Sequence, residues 1–161
     1  MSHLDDEAWE TEMWPSPVGM LPMDQAHDLR AADAYVHLLD MRHGLGRPLD
    51  PNEEPLASAL AIGRAVRLSG WGAVKGAGLP DGTRIRLDVE GPGGTAADLV
   101  VENGRARLEP PHGETDDRIA GPGLAFLLAV AGREGMTAAA GGLDVSGDAA
   151  KAFLEGYRLF L

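Results

Sequence analysis

The sequence contains no cysteine, which excludes disulfides, thiolate metal centres and cysteine nucleophiles together. It also lacks a long apolar run. The longest, Leu124 to Ala131, is far too short to span a bilayer as a helix. Positive charge is scarce: 14 Lys and Arg face 25 Asp and Glu, for a formal net charge of −11. Such a field repels phosphate backbones and anionic lipid, so nucleic-acid binding is not expected. The stretch Asp5 to Glu12 is acidic and offers neither a basic n-region nor an apolar h-region, so no secretory or transit signal is expected and the expected location is cytoplasmic. Aromatic residues make up only 5% of the chain, which leaves Leu, Val, Ile and Ala to build the core. Gly-x-Ser-x-Gly, P-loop, His-Glu-x-x-His and Gly-rich dinucleotide patterns are all missing. The glycine clusters Gly91 to Gly94 and Gly141-Gly142 read as turns, because neither leads from a strand directly into a helix.

What remains is a 161-residue chain, enough for one domain or one domain with a helical appendage. Charge is unevenly placed. Residues 1–54 hold twelve acidic and three basic side chains, whereas residues 55–161 hold thirteen and eleven. Residues 1–15 read as a mobile acidic tail. Within it Trp9, Met13 and Trp14 are costly to leave in water and point to docking on the body of the protein or on a partner.

From Pro22 the spacing of Leu29, Ala32, Val36, Leu39 and His43 predicts a helix, ended by Gly44 and Gly46. A proline-rich turn, Arg47 to Pro55, leads to a second helix over about 54–71, with Leu56, Leu60, Gly63, Val66 or Arg67, and Gly70 or Trp71 as its apolar stripe. The period then changes to two. Thr83 to Glu90 alternates Ile85, Leu87 and Val89 with Arg84, Arg86 and Asp88, a half-buried strand. Ala97 to Glu102 and Arg105 to Glu109 flank Asn103-Gly104, the two-residue hairpin signal. A short edge strand over 117–120, an apolar helix over 123–131, a strand over 143–145 and a last helix over 149–161 capped by Asp148 complete the chain. Meandering antiparallel strands with helices on one side make an α+β fold.

On the first long helix Asp33, His37 and Asp40 stand at i, i+4 and i+7 and share one face. Two chemistries fit that spacing. Asp33 and His37 can chelate one divalent cation, although a stable zinc centre needs a third protein ligand. Without metal, His37 flanked by Asp33 and Asp40 is an acid–base candidate, since carboxylates favour imidazolium. The bland alternative is an ion pair and hydrogen bond between His37 and its neighbours. Arg133, following the apolar helix, can orient an anionic or enolate-like substrate or simply answer that helix's C-terminal dipole. Arg64, Arg67, Arg84 and Arg86 read as cations balancing nearby acids on solvated faces. His27 and His112 read as surface side chains, and His43 as a residue of the helix C-terminus. Ile85, Leu87, Val89, Leu124, Phe126 and Leu127 suit either plain core or the lining of a pocket.

Several ordered runs resemble a known family. They are Ser16-Pro17-Val18-Gly19-Met20-Leu21-Pro22-Met23, Leu29-Arg30, the stretch Asp33 to Pro48, the turn Leu79-Pro80-Asp81-Gly82-Thr83, the Asn103-Gly104 hairpin, the Gly121-Pro122 helix ending in Gly132-Arg133, and Leu143 to Asp148. Together they resemble the mycothiol-dependent maleylpyruvate isomerase family, from the end of its DinB-like helical domain through its sterol-carrier-protein-like α+β domain. The resemblance implies a DinB-like terminal helix segment over residues 16–50 and a sterol-carrier-protein-like domain over 51–161, with an antiparallel sheet covered by helices. It further implies a divalent metal, usually zinc, with the thiol mycothiol as cofactor. In the family an acidic residue and a His four positions apart on the last bundle helix hold the metal with a His from an earlier helix. Asp33 and His37 match the first two, and the resemblance begins too late to supply the third, so the expected site is incomplete. The family's second domain also contributes an arginine to activity, and Arg133 is the candidate here.

Three readings follow. The first is a shortened relative that binds an apolar or anionic small organic molecule between helix and sheet. The second is a metal-dependent isomerase or mycothiol S-transferase whose missing ligand comes from His3, His27, His43, His112, a second protomer or a partner. The third is a non-catalytic interaction module. A truncated bundle leaves the apolar face of the helix after Pro22 uncovered, so a homodimer or a partner protein covering it is expected.

Overall fold

The computed structural model describes residues 6–16 and 19–159. His3, Pro17, Val18 and the end of the expected last helix at residues 160–161 lie outside the described residues. The chain is α+β, and its centre is a five-stranded sheet of β3 (Arg84–Glu90), β4 (Thr95–Glu102), β5 (Arg105–Glu109), β6 (Arg118–Pro122) and β7 (Asp144–Ser146). Strand order is β5-β4-β3-β6-β7, with β3 and β6 parallel and the other neighbours antiparallel. The expected meander therefore holds only from β3 to β5. The fourth strand crosses back to pair beside β3, and nothing in its own five residues specifies that long-range partner.

Register sorts the side chains by face. One row, Ala97, Leu87, Ile119 and Val145, crosses four strands on the apolar side. On the other side Glu109, Asp98, Arg86, Arg118 and Ser146 cross all five. A sheet with one apolar face needs cover on that face alone. The hairpin joining β4 and β5 turns on Asn103 and Gly104, both at positive φ, as the sequence pair predicts.

The polar face has its own closure. Asp98 is buried; Arg86 Nε bonds its Oδ1, Arg84 lies 3.6 Å from Oδ2, and the His112 N–H donates to Oδ2 at 2.9 Å. Arg84 and Arg86 in turn donate to the carbonyls of Glu114 and Gly113. The 110–117 segment is thus strapped across the outer face. Burial pushes the Asp98 carboxyl up, but Arg86, the His112 N–H and Arg84 outweigh it and hold the group below its ordinary value.

Cover for the apolar face comes from α5 (Gly123–Val130) and α7 (Asp148–Gly156), with α3 (Pro55–Arg67) packed on α5 and α2 (Met23–Gly44) outside α3. Short pieces α4 (Ser69–Trp71) and α6 (Glu134–Thr137), and a π-turn over Gly72–Gly76, fill the corners. Ala32, Tyr35, Val36 and Leu39 of α2 join the same apolar cluster as the sheet. The face expected to need a covering partner is therefore covered within the chain. Solvent instead meets Met41 and Leu45 near the helix end.

Three further expectations change. The segment read as a tail forms α1 (Asp6–Thr11) and β1 (Met13–Ser16), the latter paired with β2 (Gly19–Pro22). Trp9 stacks on His27 with ring centroids 4.8 Å apart, and Trp14 lies 5.7 Å from it, which removes apolar surface that a free tail would expose. The stripe of α3 is rotated: Leu56 is 86% exposed, while Ser58, Ala61, Ile62, Arg64, Ala65 and Val66 are buried. Small Ala and Ser side chains let α2 and α5 approach that face, and the larger Leu56 is turned out while Leu60 packs at the core's margin. The last helix is capped from afar. Asp117 Oδ1 accepts the N–H groups of Ala149 and Ala150 at 2.8 and 3.2 Å, in place of Asp148.

At the π-turn the backbone runs tight against an aromatic ring. A Cβ built on Gly72 falls 2.4 Å from the ring of Tyr157, whose hydroxyl donates to the Ala65 carbonyl at 2.9 Å from a fully buried position. Gly72→Ala is accordingly expected to cost at least about 2 kcal/mol in urea unfolding, through overpacking of a ring that cannot retreat. Pairing it with Tyr157→Leu should recover part of that loss; purely additive effects would show that the two groups do not meet.

Candidate functional site

The four residues singled out from the sequence meet at one place. Asp33, His37 and Asp40 lie along the outer side of α2, and Arg133 reaches them from the residue preceding α6. His37 Nε2 is 3.7 Å from Asp33 Oδ1, and His37 Nδ1 is 3.5 Å from Asp40 Oδ2. Arg133 donates from Nε to Asp40 Oδ1 at 3.3 Å and from Nη2 to Oδ2 at 3.0 Å. Its third contact, Nη1 to the Ala131 carbonyl at 2.6 Å, lies on the C-terminal end of α5. The arginine thus answers the helix end and clamps α2 to it in a planar fork that suits a guanidinium.

This geometry bears on both chemistries. Both Asp40 oxygens are engaged by Arg133, so Asp33 and His37 are left as two donors with a guanidinium behind them. Among the described residues no group of three or more His, Cys, Asp or Glu side chains is placed to hold a metal ion. His27 stands ten positions earlier on α2, roughly 15 Å along the axis at 1.5 Å per residue. His43 lies in the helix's last turn and His112 in the strap over the sheet's outer face. The described donors therefore do not fit the zinc that the family resemblance implies. His37 is also open to water, with 56% of its side chain exposed, and Arg133 has its fork closed on Asp40 instead of presented to a substrate.

The pocket candidates resolve as core. Ile85, Leu87, Val89, Leu124, Phe126 and Leu127 are all buried within the apolar cluster, so the space between helices and sheet is filled by side chains. Cavities lie elsewhere. One, of about 280 Å³, opens between β2, α2, α3, α4 and the residues after α7. Leu21, Leu29, Leu68, Leu159 and Trp71 supply apolar walls, and Gln25, Arg64 and Arg158 the polar lining. A second, of about 230 Å³, lies beside Ile62, Pro92, Pro122 and Leu124 with Glu90 as the charged residue in its lining.

Arg64 is the functional candidate that sequence reasoning misses. Read as a solvated cation, it is 6% exposed, and its Nε is buried without a hydrogen-bond partner. Arg67 is 3.6 Å from Asp28 and Arg158 is 2.8 Å from Glu134, so its charged neighbours already have their counterions. Asp24 and Asp28 act on Arg64 only at a distance. Burial, with repulsion from Arg67, pushes its guanidinium below the ordinary arginine value. A buried donor left unsatisfied costs about 1–3 kcal/mol, more when charged. The missed signal was phase: with Ala61, Ala65 and Leu68 taken as the stripe of α3, Arg64 falls inside it.

No protein family, curated protein or solved structure matches the chain.

The staple at Asp40 has a pH signature. The hydrogen bond from Arg133, opposed by burial, holds the Asp40 carboxyl below its ordinary value of 3.8. A carboxylate depressed in the folded state stabilises above its unfolded value, and that contribution is lost as pH falls through the folded one. Since about a third of the side chain is exposed, screening keeps the effect small. Asp40→Asn should lower unfolding free energy by at most about 1 kcal/mol at pH 7, with the gap to the unaltered protein closing below pH 3.8. A gap that does not narrow as pH falls below 3.8 would assign Asp40 a role other than its charge.

Proposed function

We propose that this chain binds a small organic molecule in the cavity between α2 and α3, and does so without a zinc or mycothiol centre. The observation that carries the reading is the cavity's make-up: apolar walls with Arg64 in the lining, a residue in no ion pair among the described residues and with its Nε buried and unpartnered. Concave sites lined by apolar side chains with few convergent polar groups are where small ligands bind. The cluster at Asp33, His37, Asp40 and Arg133 is then a staple between α2 and the end of α5, with its arginine spent on Asp40.

The same reading takes the chain as a shortened relative of the maleylpyruvate isomerases, with α2 as the remnant of a DinB-like bundle and the rest as a sterol-carrier-protein-like domain. Support comes from the mixed sheet covered by helices on one face and from a long helix preceding it. The ligand, however, moves from the helix–sheet gap to the helix–helix junction. The metal-dependent alternative gains no donor set from the described residues.

A neutral probe tests the cavity itself. Isothermal titration with octan-1-ol should give saturable binding near one per chain, and Leu68→Trp, which places an indole in the cavity wall, should weaken it at least tenfold while the circular dichroism spectrum is kept. Absence of saturable binding to the unaltered protein, or binding indifferent to Leu68→Trp, would overturn the reading.

A further inference from the structure

Five buried polar atoms among the described residues lack hydrogen-bond partners: Asp24 Oδ1, the Tyr35 hydroxyl, Arg42 Nη1, Ser58 Oγ and Arg64 Nε. They differ in what surrounds them. Arg42 already has counterions, its Nη2 lying 2.7 Å from Glu53 and 2.8 Å from Glu54. Tyr35 and Ser58 are neutral and close enough for the Ser58 hydroxyl to act on the Tyr35 hydroxyl. Asp24 is not among the residues lining the cavity described above. Arg64 alone combines a charge without an ion pair with a place on a cavity wall.

Resting on the small-molecule reading above, we infer that Arg64 is the anion subsite of this cavity, and that its ligand is an amphipathic monocarboxylate. The geometry limits the ligand in three ways. Its head must be an acceptor of guanidinium N–H groups, which a carboxylate matches bidentately. Its charge should be a single negative one. Arg67 and Arg158 are neutralised by Asp28 and Glu134, so Arg64 is the one uncompensated cation in the lining. A dianion would leave excess negative charge in a buried place, close to Asp24 and in a protein of net charge −11. Its body should be apolar and short. The cavity, of about 280 Å³, has walls of Leu21, Leu29, Leu68 and Leu159 that suit a small aliphatic body.

The charge also explains why an acidic chain keeps an arginine there. A Leu or Met at that position of α3 would satisfy packing with no buried charge to offset, so the guanidinium is a burden to the empty protein and an asset only with an anion bound. The second cavity is the internal contrast: of similar size and equally apolar, it carries Glu90 in its lining and offers no cation to an acid.

The test compares octanoate with octan-1-ol, equal in chain length and different in charge, by isothermal titration on the full chain at pH 7. Octanoate should bind at least tenfold more tightly than the alcohol. Arg64→Met should remove that preference, bringing octanoate affinity down to or below that of octan-1-ol, and its melting temperature without ligand should be no lower than that of the unaltered protein. A second measurement needs no variant. On the unaltered protein octanoate affinity should fall as the ligand's own carboxyl is protonated at acid pH, with octan-1-ol affinity flat over the same range. Inorganic phosphate should not compete. Equal binding of acid and alcohol overturns the anion subsite and leaves the small-molecule reading standing. A preference for octanoate that survives Arg64→Met places the subsite elsewhere and also overturns it, and failure of both ligands to bind overturns the two together.

Discussion

A helix that is apolar on every side can exist in water only if every side is covered, and α5 is such a helix. All eight residues from Gly123 to Val130 are buried. It is too short to be stable alone, and its sequence offers no polar face to turn outward. Its surroundings follow from that demand. The sheet gives one wall, with Leu87 and Ile119 side by side across the parallel pair. Helix α3 gives another, approaching closely enough that a Cβ on Gly123 would fall 2.9 Å from Ile62 Cγ2. At the C-terminal end Arg133 holds the Ala131 carbonyl and ties α2 across it. Arg133, the candidate for the arginine that the family resemblance implies, thus has a structural task at the end of α5.

The elements legible from sequence were those set by local rules. Alternation in β3 and the pair Asn103-Gly104 fixed strand faces and a hairpin register, because period and turn chemistry act over a few residues. The i, i+4, i+7 spacing on α2 likewise put Asp33, His37 and Asp40 together, since helical geometry alone determines it. What those residues do depended on a group 93 positions away. Spacing can show that three side chains share a face, but the state of that face is decided by whichever element packs beside it.

The misread elements share one cause: each depends on a contact distant in sequence. The parallel pairing of β3 with β6 answers to the crossover. The cap of α7 is Asp117, some thirty positions before the helix it serves. In α3 both a Leu-led and an Ala-led stripe are consistent with a helical period, and only the presence of α2 on one side and α5 on the other selects the second. That choice turned Leu56 outward and Arg64 inward, a change of meaning for both without any change of secondary structure.

The treatment of charge separates the two candidate sites more sharply than their position does. On the sheet's outer face Asp98 is buried but bonded to Arg86, with Arg84 nearby and a backbone N–H supplied. At the α2 staple Asp40 and Arg133 satisfy one another. A site whose charges are mutually satisfied has little electrostatic reason to recruit a ligand, because binding would have to break what folding has made. Arg64 is the exception. It sits in an apolar wall with its Nε unpartnered, although the chain carries eleven more acidic than basic side chains from which a counterion could have been drawn. Desolvated without a partner, a guanidinium gains more from an arriving carboxylate than a pre-paired one could, and that difference is the physical ground on which the proposed binding site is put at the α2–α3 junction and not at the histidine cluster.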